Sequence, residues 1–108
     1  MVLLAAQISP TVHITDLSGG RKVVTTGGTR EQITSTETLI SGVIIQALRT
    51  NTGNVMIGGA DVDVTAGSEN GTELITGQTM TLYTDSLSRI WIDADNTGEG
   101  INYLILKG

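Results

Sequence analysis

The sequence predicts an all-β fold, an antiparallel β-sandwich of jelly-roll-like winding built from about eight short strands. Turn-forming residues recur at short intervals along 108 residues that include 14 glycines, a pattern typical of sandwiches and barrels and not of alternating strands and helices. In residues 79–83, Met80 and Leu82 alternate with threonines, as in a strand with one face on a core. The length predicts a single domain over residues 1–108.

Eight segments have the composition of strands: residues 12–15, 22–26, 31–34, 38–48, 54–57, 79–83, 89–94 and 101–106. The segments between them are expected to be turns, because they are rich in residues that accept positive φ or bond their own backbone. These turns are residues 16–20, 27–28, 51–53, 58–59, 67–71 and 95–100. At most one helical turn is expected, near residues 85–88.

Residues 43–59 predict a hairpin, because two apolar runs are joined by a polar Asn/Thr/Gly turn and closed by a glycine pair. The first run opens with Val43, Ile44 and Ile45, and three apolar residues in succession indicate a strand that is covered on both faces. We therefore expect Ile44 to be covered by the second sheet, an arm or another subunit.

A second hairpin is predicted over residues 89–106. Trp91 shares a strand face with Asp93, and both a core position and an interface position fit an indole in this setting. Along the following strand Tyr103 alternates with Leu104, so both faces of this hairpin are apolar. A sheet with two apolar faces is expected to pack against a partner on each.

The composition argues against several classes of partner. The net charge is −5, and the six Lys and Arg residues are scattered, with Arg21-Lys22 as the only adjacent basic pair, so nucleic-acid binding is not expected. The absence of cysteine removes disulfides and thiolate metal sites. No apolar run is long enough to cross a bilayer, so a membrane is not an expected partner either.

No group of residues predicts catalysis, a cofactor or a metal site. His13 is the single histidine, and it is expected on the solvent face of a strand with no matched nucleophile. Residues 93–100 begin like a calcium loop, but the twelfth position, which should supply a bidentate carboxylate, is Leu104. A turn between two antiparallel strands is the favoured interpretation, and Asp61 and Asp63 are expected on a wet strand face. The chain is therefore predicted not to be an enzyme.

The amino-terminal residues 1–8, MVLLAAQI, lack the basic region and the long apolar run of a signal peptide. We interpret them as an ordered segment. The alternative is an apolar arm, within residues 1–10, that lies on a neighbouring subunit, because chain termini are poorly ordered unless they are tied down.

A family resemblance extends over residues 38–106. It rests on Val43-Ile44-Ile45-Gln46-Ala47-Leu48, Thr50-Asn51-Thr52-Gly53-x-Val55-x-Ile57-Gly58-Gly59, Leu74-x-x-Gly77, Leu82, Asp85-x-Leu87-Ser88-x-Ile90-Trp91-Ile92-Asp93-Ala94 and Gly100-x-x-Tyr103-Leu104. This order resembles small β proteins encoded among the virion genes of tailed bacteriophages and prophages. Several such proteins of this size are capsid decoration, or cement, proteins that bind the outside of the head as oligomers.

The resemblance implies a non-enzymatic virion structural protein on the capsid surface. Its implied partners are the major capsid protein and further copies of the chain, with a trimer favoured. The expected interface residues are Val2, Leu3, Leu4, Ile8, Ile44, Trp91 and Tyr103. Two alternatives stay open. One is a head-tail connector or tail component, and the other is a carbohydrate-binding sandwich of a virion surface protein, in which Trp91 and Tyr83 stack on sugar rings.

Overall fold

The computed structural model of this chain describes residues 14–36 and 39–108. Within these ranges it has eight strands, β1 (Asp16–Val23), β2 (Glu31–Gln32), β3 (Gly42–Ala47), β4 (Val55–Gly58), β5 (Thr72–Leu74), β6 (Thr79–Leu82), β7 (Trp91–Ala94) and β8 (Gly100–Lys107), and a 3-10 helix, Leu87–Arg89. The predicted arm lies outside the described residues, with its interface candidates Val2, Leu3, Leu4 and Ile8, and so does His13.

The strands form two four-stranded antiparallel sheets. Sheet A has the order β1-β8-β3-β6, and sheet B has the order β2-β7-β4-β5. The pairs are nested along the chain, because β1 pairs with β8, β2 with β7, β3 with β6 and β4 with β5. The predicted all-β sandwich of about eight strands is confirmed. The nested order favours the jelly-roll-like winding, which we keep as an interpretation.

The main core lies between the inner faces of the two sheets. Every second residue of a strand points to the same face, which explains which side chains form this core. Val43, Ile45 and Ala47 of β3 are fully buried. Val55, Ile92 and Ala94 of sheet B are also fully buried. Met80 and Leu82 pack against this core from β6, while Thr79 and Thr81 are exposed. The alternation predicted for residues 79–83 is therefore confirmed.

Neither predicted hairpin forms. β3 belongs to sheet A and β4 to sheet B, and β7 and β8 are separated in the same way, so residues 43–59 and 89–106 each cross from one sheet to the other. The physical reason is that both strands of each pair bury one face in the same core, which two facing sheets achieve and a flat hairpin does not. The only consecutive strands that pair within the described residues are β4 and β5.

Two local predictions were also wrong. Residues 16–20 form the first half of β1 and not a turn, because they pair in register with β8 from Asp16 opposite Lys107 to Gly20 opposite Tyr103. Long-range pairing thus overrides the turn propensity of the Ser-Gly-Gly sequence. β5 was not predicted at all, because its three residues, Thr-Glu-Leu, are too few to show an alternation.

Loops from four connections meet at one end of the sandwich and are joined by side-chain hydrogen bonds. Asn51, which is 6% exposed, donates through Nδ2 to the Gly100 carbonyl at 2.9 Å, and its Oδ1 accepts the Gly100 N–H at 3.1 Å. The Glu99 carboxylate accepts the N–H groups of Thr52 and Gly53 at 2.6 and 3.0 Å. These bonds fasten the β3–β4 connection to the start of β8.

Candidate interaction surface

The outer face of sheet A carries a group of apolar side chains that no other described element covers. Because Val43 and Ile45 point into the core, Ile44 between them points outward, and it lies directly opposite Leu104 of β8. Leu106 and Leu17 form the adjacent outward pair. Together with Tyr83, which follows β6, these residues make a surface that we call the outer patch: Leu17, Ile44, Tyr83, Leu104 and Leu106.

The outer patch is accessible across its whole width. Leu17 is 57% exposed and Tyr83 is 73% exposed, and Ile44, Leu104 and Leu106 are half-buried. None of the five belongs to a buried core cluster of the described residues. Each aliphatic side chain would contribute on the order of 1 kcal/mol if a partner covered its remaining exposed part.

Glycines flatten the patch. Gly19 lies opposite Leu104, and Gly42 lies opposite Leu106. Each leucine therefore has a glycine, and not a bulky side chain, on one of its two neighbouring strands. A Cβ at Gly42 would meet the Tyr83 ring at 3.1 Å, which shows that the ring leans over this glycine. The surface is therefore a shallow apolar floor with one aromatic ring at its edge.

The other half of the same face is polar. Arg21, Asn102, Gln46 and Thr79 form the next outward row, and the Arg21 Nε donates to Asn102 Oδ1 at 3.1 Å. A depression of about 200 Å³ lies where the two halves meet, with Ile44 and Leu104 among its lining residues. The polar half thus borders the outer patch on one side, and polar residues at the border of an apolar area are typical of interaction surfaces.

Trp91 lies on the opposite side of the molecule, on the outer face of sheet B. It packs against Met56, Val62 and Val64, and the last two belong to the loop between β4 and β5. The indole is half-buried, so it joins the loop to the sheet. Val62 of this loop is fully buried, and the group forms a small second core outside the main one.

Tyr103 lies on the inner face of sheet A, where it packs against the main core. It pairs with Gly20 and with the buried Ile45, so its side chain is directed to the inner side of sheet A. Its ring lies over Gly20, where a Cβ would collide with the ring carbon Cζ and the hydroxyl. The structure therefore places Ile44, Trp91 and Tyr103, the predicted interface residues that it describes, on three different faces.

The carboxylates of residues 93–100 bind backbone N–H groups. Asp93, 2% exposed, accepts the N–H groups of Val64 and Ala94 at 3.0 and 2.9 Å, and Asp95 accepts the Asn54 N–H at 2.8 Å. Partial burial opposes ionisation of Glu99, but the donors that surround it outweigh this effect and hold its pKa below the ordinary value of 4.5. Within the described ranges no three His, Cys, Asp or Glu residues are placed to hold a metal ion.

Two further clefts are present. One, of about 350 Å³, is lined by Arg30, Asp63, Asp93 and their neighbours on sheet B. Arg30 donates to the Val62 carbonyl at 2.9 Å there, so the guanidinium supports the β4–β5 loop. The other, of about 430 Å³, lies at the β5/β6 edge of the sandwich and has an apolar floor that includes Met80 and Leu82.

Comparison with known proteins gives no identification. No protein-family model, curated protein or solved structure matches this chain, so the resemblance of residues 38–106 to phage virion proteins stays a prediction. The part of the chain that the structure describes contains no helix long and apolar enough to cross a membrane.

Sequence reasoning identified Ile44 in the outer patch and did not identify its other members as interface residues. Leu17 was assigned to a turn, Leu104 was named in the family resemblance and as the second apolar face of its strand, and Tyr83 was named only in the carbohydrate-binding alternative. The second apolar face of β8 could have predicted the outer patch. Residues 101–106 are apolar on both faces of the strand, and the core of the sandwich covers only one of these faces.

Proposed function

We propose that the protein is a non-enzymatic structural protein of a phage virion, a decoration protein that binds the outer capsid surface as an oligomer. The outer patch is the observation that supports this proposal best. A domain with five adjacent apolar side chains on one sheet face, and with carboxylates engaged by its own backbone, is suited to protein–protein contact.

The size of the patch fits a repeated contact. A surface of five residues is smaller than one side of a standard stable interface, which covers about 800 Å² per partner. A shell presents many identical sites, and an oligomer that engages several of them at once gains affinity through effective concentration. The net charge of −5 favours a basic surface on the partner.

The test compares two substitutions on the same outer face. In Ile44→Asp the charge enters the outer patch, whereas in Thr79→Asp it enters the exposed polar row, and circular dichroism checks that both variants fold. Each protein is added to virions of the encoding phage that lack the native copy, and the bound fraction is measured by co-sedimentation. We expect Ile44→Asp to weaken binding by about tenfold or more, equivalent to at least about 1.4 kcal/mol, and Thr79→Asp to bind like the wild type. Equal binding by both variants, or no binding by the wild type, contradicts the proposal.

The alternatives predict other outcomes of the same experiments. A connector or tail component would label the neck or the tail and not the head. In the glycan-binding alternative, Trp91 and Tyr83 would stack on different sugars, because Trp91 lies on sheet B and Tyr83 beside sheet A.

A further inference from the structure

We propose that β6 of one copy pairs antiparallel with β6 of a second copy, so that the two copies of sheet A join into one continuous sheet across a two-fold axis. This contact goes beyond the proposed function, because it uses the edge of sheet A and leaves the outer patch uncovered. The edge strands are β1 and β6 in sheet A and β2 and β5 in sheet B. An edge strand presents backbone N–H and C=O groups that can pair with another chain.

The outer edge of β6 offers such backbone groups. The Ala47 N–H donates to the Gln78 carbonyl at 2.9 Å, so Gln78 is bonded to β3. Bonded positions alternate along an antiparallel ladder, and the N–H and C=O groups of Thr79 and Thr81 therefore point away from β3. Both threonines are exposed, and no other described strand pairs with this edge.

The other three edge strands carry features that oppose strand pairing, and β6 carries none of them. β1 contains three charged residues and a glycine pair, while β2 and β5 are only two and three residues long and each contain a glutamate. Charges and short length are common means by which edge strands avoid association. In contrast, β6 is Thr-Met-Thr-Leu, and residues 75–84 contain no charge and no proline. β6 is therefore the edge best suited to pair.

The sequence of β6 is complementary to itself, which favours a second copy as the partner. A two-fold axis at Thr81 places this residue opposite its own equivalent and Met80 opposite Leu82. Residues opposite each other share a face of the sheet, so threonines meet on the outer face and apolar side chains meet on the inner side. Met80 and Leu82 form part of the apolar floor of the cleft of about 430 Å³ at this edge, and the second copy covers that floor. A two-fold contact requires such self-complementarity.

The charges near β6 also favour this pairing. The net charge of −5 opposes association of two copies in general, but the contact itself lies within the uncharged residues 75–84. The same register places Asp85 of one copy level with Gly77 of the other. A Cβ at Gly77 would lie 3.8 Å from Cγ of Arg49, so the exposed Asp85 carboxylate approaches a basic side chain of the second copy.

The geometry of the pair has a consequence for the outer patch. A two-fold axis perpendicular to a sheet keeps the outer faces of both copies on the same side. The dimer therefore presents two outer patches to one surface, and two linked contacts bind more tightly than one because the second gains from effective concentration.

The cysteine-free sequence allows a direct test of the register by disulfide formation between copies. In Thr81→Cys the two Cα atoms would be about 5.5 Å apart, which a disulfide spans. The matched control is Thr79→Cys, on the same face of the same strand. Its two cysteines would be four positions out of register, about 14 Å apart, which is too far. Under mild oxidation we expect the Thr81→Cys dimer to form on the order of tenfold faster than the Thr79→Cys dimer. Equal rates contradict the inference.

A second measurement removes one backbone donor. Thr81→Pro loses the outward N–H, which edge strands tolerate where that group does not bond the sheet, whereas Thr81→Val keeps the N–H and the branched shape. Circular dichroism checks that both variants fold. By light scattering, the wild type and Thr81→Val should have the mass of a dimer, and Thr81→Pro that of a monomer. A monomeric wild type, a folded Thr81→Pro with the mass of a dimer, or a trimer without the Thr81→Cys cross-link overturns the inference.

Both measurements use the purified full chain, so their results are separate from the proposed function. A dimer that does not bind virions retains the inference and removes the proposed function. Virion binding by a protein that forms no β6 dimer does the reverse.

Discussion

Replacing Asn51 by alanine should destabilise the sandwich strongly, although Asn51 lies in a connection between strands. Its side chain makes two hydrogen bonds with the Gly100 backbone, and both residues are buried. The Gly100 carbonyl keeps a second donor, the Leu48 N–H at 3.0 Å. The Gly100 N–H loses its partner, however, and an unsatisfied buried donor costs about 1–3 kcal/mol.

Adding the loss of the second bond, about 1 kcal/mol net, gives an expected decrease of about 2–4 kcal/mol in the free energy of unfolding. For a domain of this size, that lowers the melting temperature by about 8–16 °C, at about 4 °C per kcal/mol. The assay is urea unfolding and thermal melting, each followed by circular dichroism.

The matched control is Asn102→Ala. Asn102 is exposed and accepts one hydrogen bond, from Arg21, so its loss should change stability by no more than about 0.5 kcal/mol. If Asn51→Ala is as stable as Asn102→Ala, the Asn51 side chain does not fasten the β3–β4 connection to the start of β8.

Three further predictions concern the loops and the second core. In acid, Glu99→Gln should lose less stability than the wild type. A carboxylate with a lowered pKa stabilises the fold above its ordinary value of 4.5 and loses that contribution as the pH falls through the folded pKa. Identical acid unfolding profiles for Glu99→Gln and the wild type would contradict the role given to Glu99. Gly71→Ala should destabilise the protein by at least about 2 kcal/mol more than Gly67→Ala. Both glycines have positive φ, but a Cβ at Gly71 would lie 2.5 Å from the Ile57 carbonyl oxygen, whereas a Cβ at Gly67 would face open space. Equal unfolding midpoints in urea would refute this close approach at Gly71. Val62→Ala should destabilise the protein by about 2 kcal/mol and shift the fluorescence of Trp91 to the red, since Val62 packs in the same cluster. Val24→Ala in the main core should destabilise the protein without shifting the emission of its native state. A red shift in both variants would count against a separate second core.

Strand positions were predictable where alternation and β-branched residues coincide. Met80 and Leu82 gave β6, and Val43, Ile44 and Ile45 gave β3, because each pattern is set by the strand's own residues. The 3-10 helix at Leu87–Arg89 also lies near the single helical turn predicted from residues 85–88. Local sequence thus determined most elements of the sandwich.

The connections were not predictable, because strand–turn–strand has the same local pattern whether the two strands pair or cross between sheets. The choice depends on contacts with distant residues. Asn51 bonds Gly100, 49 positions along the chain, and no feature of residues 43–59 reports that partner. The same reason applies to Leu17, whose strand exists only because β8 pairs with it.

The most direct test of the proposed function is a cryo-EM map of the intact virion of the phage that, under this proposal, encodes the chain. The account predicts density for the two-sheet domain on the outside of the head, in symmetric oligomers, with the outer face of sheet A covered at its apolar half. A virion that lacks this density, or that contains it only at the neck or tail, contradicts the claim that the protein decorates the capsid.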